Sequence, residues 1–251
     1  MEHDVLVAQQ FGATARAYLE SVTHATGEDL EILGAEIAAV PDAVVLDLGC
    51  GAGHASFAIA SHAASVTAYD LTAQMLAVVQ REAAARKLRN ITTVQGMAEV
   101  LPFPDAHFDR VISRYSAHHW HDVPAALHEV RRVLKPRGEA LLIDTAGGEN
   151  PLLDTHLQAI EILRDPSHIR DYSTREWLAL FAEAGFTASV RKEWPVKIEF
   201  SAWVERQRTS PERIAAIHAL WGAAPDEVRS FFEVQPDSSF TLQKVLIAAR
   251  R

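Results

Sequence analysis

The chain has 251 residues, 48% hydrophobic and 23% charged, enough to bury a full α/β core. Its formal charge of -9 argues against a general nucleic-acid binder, because affinity for phosphate backbones rests on clustered cations. The single cysteine, Cys50, excludes an intrachain disulfide, and no apolar run approaches transmembrane length, so a soluble, cytoplasmic monomer or homodimer without membrane insertion is expected.

In chain order, residues 10–19 read as an amphipathic helix that includes Phe11 and Tyr18. Residues 44–48 (Val-Val-Leu-Asp-Leu) then form a short apolar segment, β-branched at its start, as a buried parallel strand requires. Gly49, Gly51 and Gly53 follow at alternate positions, where the lack of a Cβ lets the backbone turn tightly toward a ligand. A helix opens directly at His54, so strand, glycine loop and helix N-terminus together make a nucleotide-type site. A dinucleotide fingerprint would need glycine at position 54, which is His54. Asp47, just before the loop, suits a ligand ammonium group better than a pyrophosphate.

Residues 65–69 form the next strand, closed by Asp70 about twenty residues beyond the loop. A carboxylate there can accept hydrogen bonds from ribose hydroxyls, although helix capping also places acids at strand ends. Thr72 caps a helix over 73–87 that carries Met75, Leu76 and Val79 on one face. Strands at 91–95 and 108–113, a helix at 123–134 stopped by Pro136 and Gly138, and a strand at 139–144 follow. Arg131, Arg132, Lys135 and Arg137 lie at the end of that helix, where cations complement its dipole, so this basic cluster reads as structural. The alternation specifies α/β architecture, a doubly wound sheet with helices on both faces. Beyond it come a helix at 150–163, a polar stretch from Arg164 to Arg170, a helix at 174–184, a strand with extension at 186–200, helical pieces over 202–232, and a last strand at 239–249.

The pattern Asp47-x-Gly49-x-Gly51-x-Gly53 resembles the first motif of class I S-adenosylmethionine-dependent methyltransferases. Gly96-Met97-Ala98-Glu99-Val100-Leu101-Pro102-Phe103-Pro104-Asp105, followed by Phe108-Asp109, is similar to the segment after that family's third strand. Residues 129–138 look like its helix and turn before the fifth strand. The nearest look-alikes are bacterial small-molecule methyltransferases related to the ubiquinone and menaquinone C-methyltransferases. The resemblance implies a Rossmann-like, doubly wound, seven-stranded sheet whose last strand is antiparallel. It also implies an N-terminal helical lid (1–40), a cofactor-binding core (41–200), a helical insertion at the acceptor pocket (201–236) and a final core strand (237–251).

S-adenosyl-L-methionine is the cofactor so implied, with S-adenosyl-L-homocysteine as product. Asp47 and the loop glycines then hold the methionine part, Asp70 the ribose, and Met97 with Ala98 the adenine; Leu71, Met75, Glu99, Arg114 and Tyr18 complete the cofactor set. Many relatives carry an acid at position 97, so with Met97 adenine binding rests on backbone groups and apolar contact.

Ser113 to Asp122 is the most distinctive local constellation, at the carboxyl end of the fourth strand, where ligands of open α/β sheets bind. Its histidines and Asp122 are good metal ligands, but adjacent side chains diverge, and no metal is expected. The resemblance instead puts Arg114 and either His118 or His119 near the methionine part and the transferring methyl. Transfer from a sulfonium is an in-line displacement, so alignment and exclusion of water dominate, and a base is needed only for an acceptor proton of high pKa. His118 or His119 is the first candidate for that base, with Tyr115 and Asp144 behind them.

Candidates for the acceptor pocket are Phe11, Asp144, Trp203, and the donors Arg164, His168 and Arg170, whose stretch is otherwise an ion-paired surface turn. The expected activity is methylation of a small, planar or heteroaromatic molecule at carbon, nitrogen or oxygen. A cofactor-binding protein without catalysis, acting as a sensor or partner subunit, is the rival reading, and His54 weakens a nicotinamide oxidoreductase.

Overall fold

A computed structural model describes residues 2–20 and 25–251, with the side chains at 13, 16, 17 and 20 set aside. Its seven strands are β1 (Val44–Leu48), β2 (Ser65–Asp70), β3 (Ile91–Gln95), β4 (Phe108–Arg114), β5 (Leu134–Thr145), β6 (Thr187–Ile198) and β7 (Phe240–Arg250). They stand in the order β3-β2-β1-β4-β5-β7-β6. The first five run parallel, and β7 runs antiparallel between β5 and β6. Chain order reverses between β1 and β4, so their carboxyl ends open a crevice. The glycine loop leaves β1 there and the segment from Ser113 leaves β4 beside it.

Two apolar layers cover the sheet. One packs Val123, Leu127 and Val130 of a helix (Val123–Val133) with Trp177 and Phe181 of another (Thr174–Glu183). The opposite layer joins Leu33 and Ile37 of the helix Glu28–Ala38 to Val45, Ile112 and Leu246. Arg114, at the end of β4, is tied to Asp29 of that helix at 2.5 Å, with both side chains buried. This ion pair fixes an N-terminal helix to the crevice. Another N-terminal helix (His3–Glu20) packs Ala15, Phe11 and Tyr18 against Met75 and Val78 of Ala73–Ala85. The insertion forms three helices (Phe200–Arg206, Pro211–Ala223 and Asp226–Phe231) whose Trp221 and Phe232 pack with Phe240 in a cluster of their own.

One strand starts well before the point the sequence suggests, and another is continuous through its expected extension. β5 begins at Leu134, directly after the helix, and the expected turn at Pro136 and Gly138 is absorbed as a register shift opposite Phe108 and Arg110. β6 is one strand of 12 residues, with a shift between Val190 and Lys192. Pro195 is tolerated within it because β6 is the edge of the sheet, where a missing donor costs little. The basic cluster is structural: Arg132 bridges Glu129, Asp105 and the carbonyls of Leu101 and Phe103.

Leu46, fully buried at the centre of β1, carries the packing under the glycine loop. Leu46→Ala is expected to cost about 2–5 kcal/mol in urea unfolding, the range for truncating a core leucine. A loss under about 1 kcal/mol would contradict this packing.

Candidate functional site

The glycine loop is held from several sides. Gly49 and Cys50 both donate their backbone N–H to the carbonyl of Tyr69 on β2. Gly49 has φ 72 and packs so closely that a Cβ would lie 1.9 Å from Ser116 Oγ. Gly51, at φ 51, faces open space, with no atom within 4 Å of where its Cβ would stand. Its N–H donates to Asp70 Oδ2 at 2.8 Å, while Thr72 N–H donates to Asp70 Oδ1 at 2.8 Å. Asp70 therefore both shapes the loop and starts the next helix, and each oxygen keeps a second lone pair for a ligand hydroxyl. Cys50 is a buried packing residue, its thiol pushed well up by burial and then by the charges of Asp70 and Asp47.

Asp47 is 1% exposed, with Oδ2 accepting from Ser56 Oγ at 2.6 Å. Oδ1 is buried without a partner. Burial raises its pKa to about 6, with the Ser56 hydrogen bonds working in the opposite direction. A buried carboxylate with an unmatched oxygen is a natural seat for a ligand cation.

These groups line a cavity of about 140 Å³ together with Tyr18, Leu71, Met75, Met97, Ala98, Glu99 and Arg114. Of the cofactor candidates read from the sequence, only Gly53 stands outside it. Its φ of 91 caps the following helix, and a Cβ would strike Phe57 and Val79, so its role is packing. Tyr69 donates its hydroxyl to the carbonyl of Met97 and anchors that part of the wall.

A second cavity of about 350 Å³ adjoins the first and shares Phe11, Tyr18, Tyr115 and His119 with it. Its lining combines apolar groups (Trp194, Val196, Ile198, Trp203 and Leu242) with polar ones (His118, Thr145, Glu161, Arg164, Asp171 and Lys244). Arg164 stacks on Trp203 at 4.8 Å from the ring centre and donates to its carbonyl.

Between the cavities lies a single 3-10 turn, Ala117–His119, pinned by Asp144 at the end of β5. Ala117 N–H donates to Asp144 Oδ2 at 3.0 Å, and His118 Nδ1 donates to Oδ1 at 2.7 Å. Among the described residues, His118 Nε2 has no protein partner. Burial would lower the His118 pKa, but the charge and hydrogen bond of Asp144, with Asp171 and Glu161 behind it, raise it to about 9. His119 moves the other way, to about 4, through burial and then the His118 cation, and donates Nδ1–H to the carbonyl of Ser167. Tyr115 is pushed upward by burial and by Asp29, so its phenol keeps its proton.

The polar stretch from Arg164 to Arg170 is packed against this turn. Ile169 N–H donates to the His118 carbonyl, and Asp165, Ser167 and His168 are buried. Arg164 and Trp203 reach the second cavity, whereas Asp144 and His168 stand behind its wall. Arg170 turns away to Asp154 and Glu176, as an ion-paired turn would.

Sequence reasoning passed over Asp171, Lys244, Glu161 and Trp194. Lys244 left one usable signal, a lysine directly before the apolar run Val245 to Ala249. Asp171 lies one residue beyond the polar stretch and left none.

Residues 46–142 match the family described as "Methyltransferase domain". Over 203 residues the chain is 46% identical to the protein YafE of Escherichia coli, covering 81% of this chain and 98% of that one. It is 35% identical over 242 residues to the methyltransferase YcgJ of Bacillus subtilis, covering 94% and 96% of the two chains. The crystal structure of YcgJ superposes with a TM-score of 0.84 over 87% of this chain and 97% of that one, at 36% identity. Over 122 residues, 46% of this chain and 52% of the relative, it is 36% identical to the 2-phytyl-1,4-naphtoquinone methyltransferase of Synechococcus elongatus.

The opposed histidine environments are open to ¹⁵N-histidine NMR. His118 is expected to titrate near 9 and His119 near 4. In Asp144→Asn burial acts with far less opposition, so His118 should fall toward or below its ordinary value of 6.5. A His118 titrating near 6.5 in the unaltered protein would break this account.

Proposed function

Because the chain belongs to the class I S-adenosylmethionine-dependent methyltransferases and uses S-adenosylmethionine as cofactor, we propose that the first cavity holds this methyl donor and the second a small, planar or heteroaromatic acceptor. One observation carries the reading: two cavities of different chemistry meet at Phe11, Tyr18, Tyr115 and His119. The residues present fit the cofactor. The unmatched Asp47 Oδ1 suits the donor's ammonium, Asp70 its ribose hydroxyls, and the open face of Gly51 a close backbone approach. The aromatic and aliphatic lining of the second cavity suits a flat ring, and the naphthoquinone methyltransferase among the relatives is named for such an acceptor.

When bound, the cofactor supplies a methyl group on a cationic sulfur, open to in-line displacement without further activation. What this chain contributes is alignment and a dry site. Phe11 and Tyr18 roof both cavities, and the turn that carries His118 and His119 separates them. For an acceptor with a weakly acidic proton, His118 takes that proton at Nε2, while Asp144 holds Nδ1–H and stabilises the imidazolium that results.

Three outcomes follow from these assignments. S-adenosylhomocysteine should bind Asp70→Ala about 10–100-fold more weakly than the unaltered protein by calorimetry, the loss expected when hydrogen bonds to a charged group disappear. Unchanged affinity would remove Asp70 from the site.

Base catalysis needs neutral His118, and this histidine stays protonated below about 9. kcat/KM should therefore rise with pH and level off above that value, and in Asp144→Asn the inflection should move to lower pH. A flat profile would exclude His118 as the base.

Finally, incubation with radiolabelled methyl donor and a cell extract should label a small molecule. Tight cofactor binding without any labelled product would favour a non-catalytic binding protein.

A further inference from the structure

Asp171 is the least explained group in the second cavity. Its side chain is 2% exposed, yet both carboxyl oxygens lack a hydrogen-bond partner. Its backbone is held on two sides by one side chain: Gln158 Oε1 accepts from Asp171 N–H at 3.1 Å, and Gln158 Nε2 donates to the Asp171 carbonyl at 2.8 Å. Gly147 packs so closely on that carbonyl that a Cβ would lie 2.4 Å away. The segment is therefore rigid, and its carboxyl group is left unmatched at a cavity wall. Buried polar groups are almost always satisfied, so an unmatched one fixed in place asks for a partner from outside the chain.

We propose that Asp171 recognises the acceptor, taking a neutral O–H or N–H donor of that molecule on its unpaired oxygens while the methyl-accepting atom lies at the wall shared with the cofactor cavity. This rests on the two-cavity reading and deepens it. Asp171 lines the second cavity and not the first, close to His118 and within the electrostatic reach of Lys244. The His118 cation thus borders the position, and a second cation on the ligand would meet its repulsion, which favours a neutral donor over an ammonium group. Burial and the charge of Glu161 raise the Asp171 pKa to about 8, so near neutrality the group presents a proton as well as a lone pair. It then pairs well with a hydroxyl, or with a ring edge that carries N–H beside C=O. The acceptor so described has a flat apolar body against Trp194 and Trp203 and a polar edge at Asp171.

The same carboxyl lies in a group with His118 and Asp144 whose ligand atoms fall within 4.8 Å of one another, a spacing that a divalent cation would also fit. Two facts favour the organic donor. Asp144 already accepts from Ala117, Thr145 and His118, and the His118 cation stands within the group itself.

The test uses the full chain saturated with S-adenosylhomocysteine and three ring probes: hydroquinone, 2-pyridone and 1,4-dimethoxybenzene. Ligand-observed NMR should show hydroquinone or 2-pyridone binding about 10-fold or more tightly than the donor-free dimethoxybenzene. The stronger of the two identifies the donor as O–H or N–H. In Asp171→Leu that preference should shrink to about 2-fold or less, with cofactor affinity unchanged. The comparison within the unaltered protein stands even if the variant fails to fold. Equal binding of all three probes overturns the proposal, as does an undiminished preference in Asp171→Leu. Displacement of the probes by Mg²⁺ or Zn²⁺ would also overturn it, in favour of a metal site. Failure to bind S-adenosylhomocysteine would instead strike the cofactor reading itself, so the two failures are distinct.

Discussion

Asp144 is the point on which the site turns. It ends β5, is 1% exposed, and accepts from two backbone amides and one imidazole. A carboxylate so deep would be expensive if left bare, and here each bond it accepts also places something. Ala117 N–H sets the start of the turn between the cavities, and His118 is turned so that Nδ1 is occupied and Nε2 is free. The His118 carbonyl then receives the amide of Ile169, so the 165–171 segment is positioned through the same carboxylate. Asp171 stands at the far end of that chain of contacts.

Asp70 does for the donor cavity what Asp144 does for its neighbour. Both are acids at the carboxyl ends of parallel strands, both accept from a backbone amide of the loop that leaves the neighbouring strand, and neither depends on a long flexible side chain. The crevice of a doubly wound sheet gives such residues their position, since every parallel strand delivers its last side chain to the same edge. What differs is the company. Asp70 faces glycines and backbone, which leaves room for a ligand, while Asp144 faces a histidine and changes its protonation.

The first cavity was legible in the sequence because its parts are local. Asp47, Gly49 and Gly51 occupy consecutive turns of chain, Asp70 follows at a fixed distance, and the strand–loop–helix rhythm assigns each to a place. The sheet was legible for the same reason. Its limits were misread where a tertiary effect intervened, as where Leu134 to Gly138 join β5 through a shifted register with β4. The second cavity draws on Tyr115, Asp171, Trp194, Trp203 and Lys244, which come from distant parts of the chain and meet only after folding. No spacing rule links them. His118 and His119 could be named from sequence, but not told apart: neighbours in the chain, they acquire opposite protonation because one meets a carboxylate and the other a cation.

The N-terminal helix gives the two cavities a common ceiling. Phe11 and Tyr18 border both, and Gln10 fastens the helix to the carbonyl of Gln207 in the insertion. A change to Phe11 or Tyr18 therefore alters the walls of both chambers at once.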